Sequence, residues 1–254
     1  VTVGGAVGEA IDRVVVVVPA RDEEELLPRC LAALTVAVGE VARVAGEAPP
    51  VIEVVVVLDR CSDGTAEVAA DWPAFASIST DGGGVGLARR AGARHLLPTL
   101  THFSTATWIA TTDADSAVPP NWLTAQLAFA RNSVDLVLGT VVPDDRLSDG
   151  GRELWDAAHR LVEGHPHVHG ANLGVRADRY LQAGEFALVD GNEDVRLVSA
   201  LRRLGVSEIR TELIPVLTSG RLAGRAPAGF AGYLRDQAAG ARVGVLPDAA
   251  DVSL

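Results

Sequence analysis

The chain has 254 residues, with 22 lysine plus arginine against 33 aspartate plus glutamate, for a formal net charge of −11. Every one of those cations is an arginine, so Schiff-base chemistry, a Walker lysine and the phosphate-binding lysine of phosphatases and receiver domains are excluded. At this length 48% hydrophobic residues supply a full core, and an acidic chain without a basic run is no partner for nucleic acid. The longest apolar strings are short and valine-rich, so no transmembrane segment is expected. Without an export signal the reading is cytoplasmic. Cys30 and Cys61 are too few for a disulfide scaffold and read as free thiols.

In chain order, residues 13–18 form a β-branched run ended by Pro19. They are followed by Arg21, Asp22, Glu23, Glu24 and Glu25 and by leucines at helical spacing. A second strand, 51–58, stops at Asp59, after which Ser62 and Asp63 are natural helix caps for a short helix over 66–70. A third strand at 75–79 leads through residues 82–84, all glycine, into a helix over 85–97. A fourth strand, 107–112, stops at Asp113-Ala114-Asp115. Beyond it the sequence predicts a helix at 122–131, a strand at 136–142, a polar loop at 144–151 and a helix at 152–163. A strand at 172–175, a helix at 190–204 and a strand at 208–214 complete the series.

Continuous hydrophobic strands alternating with helices imply an α/β fold: an open, mostly parallel twisted sheet with helices on both faces. Ligands in such sheets sit beyond the carboxyl ends of the strands, which gathers the polar clusters at 19–25, 59–65 and 113–115 on one rim. Two carboxylates at Asp113 and Asp115 suit a hard cation such as Mn²⁺ or Mg²⁺, although either side chain also fits a turn cap. Asp59 is placed to accept hydrogen bonds from a nucleobase or ribose.

The remaining candidates each have two readings. Gly86 and Arg89 lie in a spacing that lacks the third small residue of a dinucleotide fingerprint, and Arg89 and Arg90 fit either phosphate donors or solvated charges. Glu193 and Asp194 open a helix behind Asn192 and fit either a general base with its neighbour or simple capping. His165, His167 and His169 alternate, but Pro166 breaks the strand that would align them. That leaves His169, beside Gly170 and Asn172, to line the site. Arg221 and Arg225, four apart, read equally as a diphosphate clamp and as a surface loop.

Taken together, these segments resemble the family 2 glycosyltransferases with the GT-A fold, over residues 13–205. The string Val14 to Glu24 resembles the family's opening strand and its Pro-Ala-x-Asn-Glu turn, with Asp22 for Asn. Asp59-Arg60-Cys61-Ser62-Asp63-Gly64-Thr65 resembles the Asp-Gly-Ser-x-Asp-Gly-Thr element. Gly84 to Gly92 resembles the helix start that carries glycine and arginine, with Gly84 and Arg90 in place of asparagines. Asp113-Ala114-Asp115 resembles the Asp-x-Asp motif, Gly170-Ala171-Asn172 the Gly-x-Asn segment, and Glu193-Asp194 the Glu-Asp pair.

The resemblance implies inverting transfer of a sugar from a nucleoside diphosphate sugar, UDP- or GDP-linked, to an acceptor hydroxyl. Asp194, with Glu193, would be catalytic. Asp115 and Asp113 would hold Mn²⁺ or Mg²⁺, and Pro19, Ala20, Arg21, Glu23, Asp59, Gly86, Arg89, Asp113 and Ala114 would take the donor. His169, Gly170 and Asn172 would face the acceptor, and Arg221 and Arg225 the diphosphate. It implies one domain over 1–245, with a nucleotide-sugar half at 13–115, an acceptor half at 116–245 and a loose tail at 246–254. A homodimer and a peripheral place at the inner membrane face are compatible with the sequence. A non-catalytic sugar-nucleotide binder is the rival reading. A nucleotidyltransferase would need the glycine-rich opening loop and lysine that are missing here.

Overall fold

The structure, a computed structural model, describes residues 10–45, 48–97, 105–159, 161–189 and 191–222. Arg225 and the 246–254 tail lie outside them. Seven strands form one sheet in the order β3-β2-β1-β4-β6-β5-β7. The strands are β1 (Arg13–Ala20), β2 (Val51–Asp59), β3 (Ala76–Thr80), β4 (Thr107–Thr111), β5 (Leu136–Pro143), β6 (Leu173–Arg176) and β7 (Glu208–Thr218). The helices are α1 (Leu27–Ala45), α2 (Thr65–Ala70), α3 (Val85–Leu96), α4 (Trp122–Arg131), α5 (Asp149–Ala158), α6 (Ala177–Gln182) and α7 (Glu193–Arg203). β1 pairs in parallel with β2 and β4, and only β6 runs antiparallel to its neighbours β4 and β5.

The valine run of β1 is buried on both faces because two helical layers cover it. Val14, Val16 and Val18 pack with α1 and α4 through Leu27, Leu31, Leu34, Trp122 and Leu123. Val15 and Val17 pack with α3, α6 and α7 through Ala88, Tyr180, Leu197 and Leu201. Period-two alternation thus sends successive valines of one strand into two different cores. Gly92 sets how closely α3 lies on this sheet, since a Cβ there would come within 2.5 Å of Val17 and 2.8 Å of Val57.

Several expected boundaries move. Pro19 does not end the first strand: its partner register with Val57 continues to Ala20. The polar loop closes earlier than expected, because Ser148 caps α5 by accepting from the Gly151 amide, so that helix starts at Asp149 and stops at Ala158. The last strand runs four residues past the expected end, to Thr218. α6 is a helix that the sequence pattern does not signal; at six residues it is too short to show a periodic face.

The acidic string after β1 is not the first turn of α1, which carries no acidic residue. Instead it laces the β1–α1 connection to the β2–α2 connection. Asp22 Oδ1 accepts from the Ser62 amide at 2.7 Å, Glu24 Oε2 from the Gly64 amide at 2.7 Å, and Thr65 Oγ1 from the Glu23 amide at 2.8 Å. The position before α2 is Gly64, with Asp63 accepting from the Thr65 amide at 3.0 Å. Asp22 sits at φ 52°, a left-handed conformation that Asn and Asp both tolerate, which explains why Asp stands where the resembling turn has Asn.

Candidate active site

Parallel pairing puts the carboxyl ends of β1, β2 and β4 on one rim, at the point where the strand order reverses on either side of β1. Pro19 and Ala20 are the last residues of β1, Arg21 stands exposed just beyond, and Glu23 is buried below it. Asp59 ends β2, is 4% exposed, and accepts from Thr80 Oγ1 at 3.1 Å across to β3.

Asp113, Ala114 and Asp115 lie in a turn after β4, closed by the Ser116 amide donating to the Asp113 carbonyl at 3.0 Å. The two carboxylates therefore do not share a side through strand alternation; the turn brings them together. Burial, followed by repulsion from Asp113, raises the Asp115 carboxyl to about 7 despite the opposing effect of Arg221. Arg221, just past β7, forms an ion pair through Nη2 with Asp115 Oδ2 at 3.1 Å and donates through Nη1 to Glu23 Oε2 at 2.8 Å. Ser116 and Thr218 direct hydroxyls at Asp115 Oδ1 from 3.3 and 3.4 Å. Arg29 donates to the Asp115 carbonyl at 2.7 Å.

On the other side of Asp113, Arg89 of α3 donates Nη2 to Asp113 Oδ1 at 2.5 Å and Nη1 to Glu193 Oε1. Gly86 makes room for this helix: a Cβ there would meet the Ala187 carbonyl at 2.5 Å and the Glu193 Cβ at 3.0 Å. Glu193 is 4% exposed, and its carboxyl is pushed up by burial, with Arg89 acting in the opposite sense. Asp194 is half-buried. Its Oδ2 accepts from the Gly170 amide and its Oδ1 from the Val195 amide, both at 2.8 Å. Asn192 does not cap α7 with its side chain; it adopts φ 55°, and the turn rather than a cap delivers Glu193 and Asp194.

Asn172 is 1% exposed. Its Nδ2 donates to the Thr140 and Ile214 carbonyls at 2.8 and 2.7 Å, and its Oδ1 accepts from Trp122 Nε1 at 2.9 Å. That places its side chain in the core between β5, β7 and α4, not in the cleft. His169 is half-buried at the start of the short 3₁₀ turn Gly170–Asn172. Pro166 does not separate the histidines, contrary to the sequence reading. His167 stacks between His165 at 5.9 Å and His169 at 5.8 Å and is tilted by 31° against His159 at 4.6 Å; His159 in turn lies flat on Trp155 at 3.4 Å. Burial and mutual repulsion hold these rings neutral: His159 falls to about 4 and His169 to about 3.

The glycines at 82–84 all take positive φ, of 97°, 141° and 84°, so that run serves the backbone path into α3 rather than a dinucleotide. Cys30 and Cys61 are free thiols. Sequence reasoning missed Ser116, Thr218 and Arg29 around Asp115 and Phe186 beside Arg89. None of them carries a local signal, and Thr218 comes from 103 residues away.

Among the described residues, no three His, Cys, Asp or Glu side chains converge as a metal-holding set. The donor chemistry nevertheless fits a hard divalent cation that is completed by substrate phosphates, for which one or two protein carboxylates suffice. Among the described residues, Glu23, Asp113, Asp115 and Glu193 pair with Arg89 and Arg221, and Asp194 lies beside them, so five carboxylates meet two guanidinium groups.

The glycosyl transferase family 2 profile matches residues 15–167, more than half of the chain. No curated protein matches in sequence. Among solved structures, the mannosyltransferase PcManGT from Pyrobaculum calidifontis, in complex with GDP-Man and Mn²⁺, is 21% identical. The match covers 93% of this chain and 64% of that one, with a TM-score of 0.61. TarS from S. aureus is 13% identical over 82% of this chain and 36% of its own, with a TM-score of 0.60, so this chain spans about a third of the length of that protein. Glucosyl-3-phosphoglycerate synthase from Mycobacterium tuberculosis, in complex with Mg²⁺ and UDP, is 16% identical over 80% of this chain and 69% of that one, with a TM-score of 0.52. The sheet order, the acidic rim and the profile match agree: this chain belongs to glycosyltransferase family 2 and has the GT-A fold.

Proposed function

We propose that the chain transfers a sugar from a nucleoside diphosphate sugar to an acceptor hydroxyl, with inversion, and that it needs a divalent cation to do so. The observation that carries this reading is the meeting of Glu23, Asp113 and Asp115 with Glu193 and Asp194 near the carboxyl ends of the central strands, linked by Arg89 and Arg221. That the structurally similar proteins were solved with GDP-Man and Mn²⁺ or with UDP and Mg²⁺ supports it.

Pro19, Ala20, Arg21, Glu23 and Asp59 would receive the nucleoside at the ends of β1 and β2, with Ala114 beside it. Asp59, already oriented by Thr80, has a second oxygen to accept from a base or ribose. Asp115 and Asp113 would hold Mn²⁺ or Mg²⁺, which supplies electrostatic stabilisation of the leaving diphosphate. Arg221 is positioned to trade its carboxylate partners for diphosphate oxygens, a charge-assisted contact of the same geometry.

Of the two acidic residues opening α7, Asp194 is the base. Glu193 is buried and fixed to Arg89, whereas Asp194 is accessible, and two backbone amides hold its orientation while each oxygen keeps a lone pair. Asp194 would take the proton of the acceptor hydroxyl as that oxygen attacks the anomeric carbon opposite the diphosphate. His169 and Gly170, which adjoin it, would form the acceptor wall.

The test is release of nucleoside diphosphate from UDP-glucose, UDP-N-acetylglucosamine and GDP-mannose in the presence of Mn²⁺, with Asp194→Asn as control. Release that requires the cation and drops about 100-fold or more in the variant supports the reading. Release equal in both proteins refutes the base assignment.

A further inference from the structure

Resting on that glycosyl-transfer reading, we infer that Arg89 is a positioning residue which locks the donor-side carboxylate Asp113 and the base-bearing helix α7 into one unit, so that its loss slows turnover rather than weakening nucleotide binding. The geometry is a single planar guanidinium shared between two elements. Nη2 meets Asp113 in the turn after β4, and Nη1 meets Glu193, the residue immediately before the base. A fork of this shape fixes the direction of both carboxylates, which a point charge does not do.

Three independent features hold the guanidinium in place. It is 3% exposed, and its Cζ lies 5.7 Å from the centre of the Phe186 ring. Gly170 leaves the space it occupies: a Cβ there would come within 2.4 Å of Arg89 Cζ. Gly86, one turn earlier in α3, allows Glu193 to approach the same helix. Gly170 is also the residue whose amide orients Asp194, so the guanidinium packs against the backbone that aims the base. Burial works against the charge of Arg89, but Asp113, Glu193 and Asp194 more than offset it. Each of its terminal nitrogens already pairs with a carboxylate, one on each element, while its buried Nε has no hydrogen-bond partner.

The experiment compares the parent with Arg89→Gln, Arg89→Lys and Gly170→Ala. Two quantities are read: the affinity for UDP and GDP with Mn²⁺ by titration calorimetry, and nucleoside diphosphate release from UDP-glucose and GDP-mannose. Arg89→Gln is expected to bind nucleotide within about threefold of the parent and to turn over about 30-fold or more slowly. Arg89→Lys, which keeps the charge but cannot bridge both carboxylates, should recover part of that loss. Gly170→Ala displaces the guanidinium without touching its charge and should reproduce the turnover defect at unchanged affinity.

A nucleotide affinity that falls as far as turnover makes Arg89 a ligand contact and overturns the inference. So does turnover within threefold of the parent in both Arg89 variants. If Arg89→Gln fails to fold, the lysine and alanine variants decide alone by the same criteria. A parent that neither binds nucleotide nor releases it overturns the functional reading and this inference together, whereas an active parent with indifferent variants overturns this inference only.

Discussion

Two arginines knit the cleft residue by residue. Glu23 and Asp115 share Arg221, Asp113 and Glu193 share Arg89, and Asp194 follows directly. Replacing Asp115 by Ala should abolish cation-dependent nucleotide binding; equal affinity with and without Mn²⁺ in both proteins would refute its role. Arg221→Gln should weaken UDP or GDP binding by about tenfold, the value of a charge-assisted hydrogen bond, measured by calorimetry with Mn²⁺ present. Asp59, Asp113 and Asp115 stood out in the sequence because each lies at or just after the end of a strand. Arg89 and Arg221 were also candidates there, but which carboxylates they pair with was not legible. Arg221 reaches Glu23 from 198 positions away and Arg89 reaches Glu193 from 104, and no local pattern encodes such distances.

At the scale of elements, close packing of α3 against the sheet fixes where Arg89 stands. Gly92→Ala would drive a methyl group into Val17 and Val57, and is expected to cost about 1–3 kcal/mol and lower the melting temperature. An unchanged melting temperature would mean that the helix shifts freely. The stacked ring set gives a second prediction. The folded pKa values of His159 and His169, about 4 and about 3, lie below the ordinary histidine value near 6.5. Their contribution to stability is therefore complete above pH ~6.5 and is lost as the pH falls from there towards 4. His159→Phe keeps a flat ring on Trp155 but removes one titrating site, so its melting temperature should fall less than the parent's between pH 7 and pH 4.5. A parallel fall would contradict the account. Strand and helix identities along 13–131 followed from apolar runs, helical spacing and the turn residues between them. The stack, the start of α5 and helix α6 did not, because they lie in short or irregular backbone where tertiary contacts override local pattern.

For the molecule as a whole, an acidic chain gathers five carboxylates at one rim of its sheet and sets only two arginines, among the described residues, against them. Burial, followed by that deficit, pushes the Asp115 and Glu193 carboxyls up and suits a site whose ligand brings positive charge with it, which links the acidic composition, the fold and the proposed chemistry. Among the described residues no helix is long and apolar enough to cross a membrane. The central claim is that this rim binds a nucleoside diphosphate through a divalent cation. The most direct measurement is the thermal shift of the protein with UDP, GDP, CDP and dTDP, each with and without Mn²⁺, because a ligand that binds only the folded chain raises its melting temperature. The account predicts that one nucleotide stabilises the chain, only when Mn²⁺ is present, and that Asp115→Ala erases the shift. No shift with any nucleotide, or an equal shift without the cation, would contradict it.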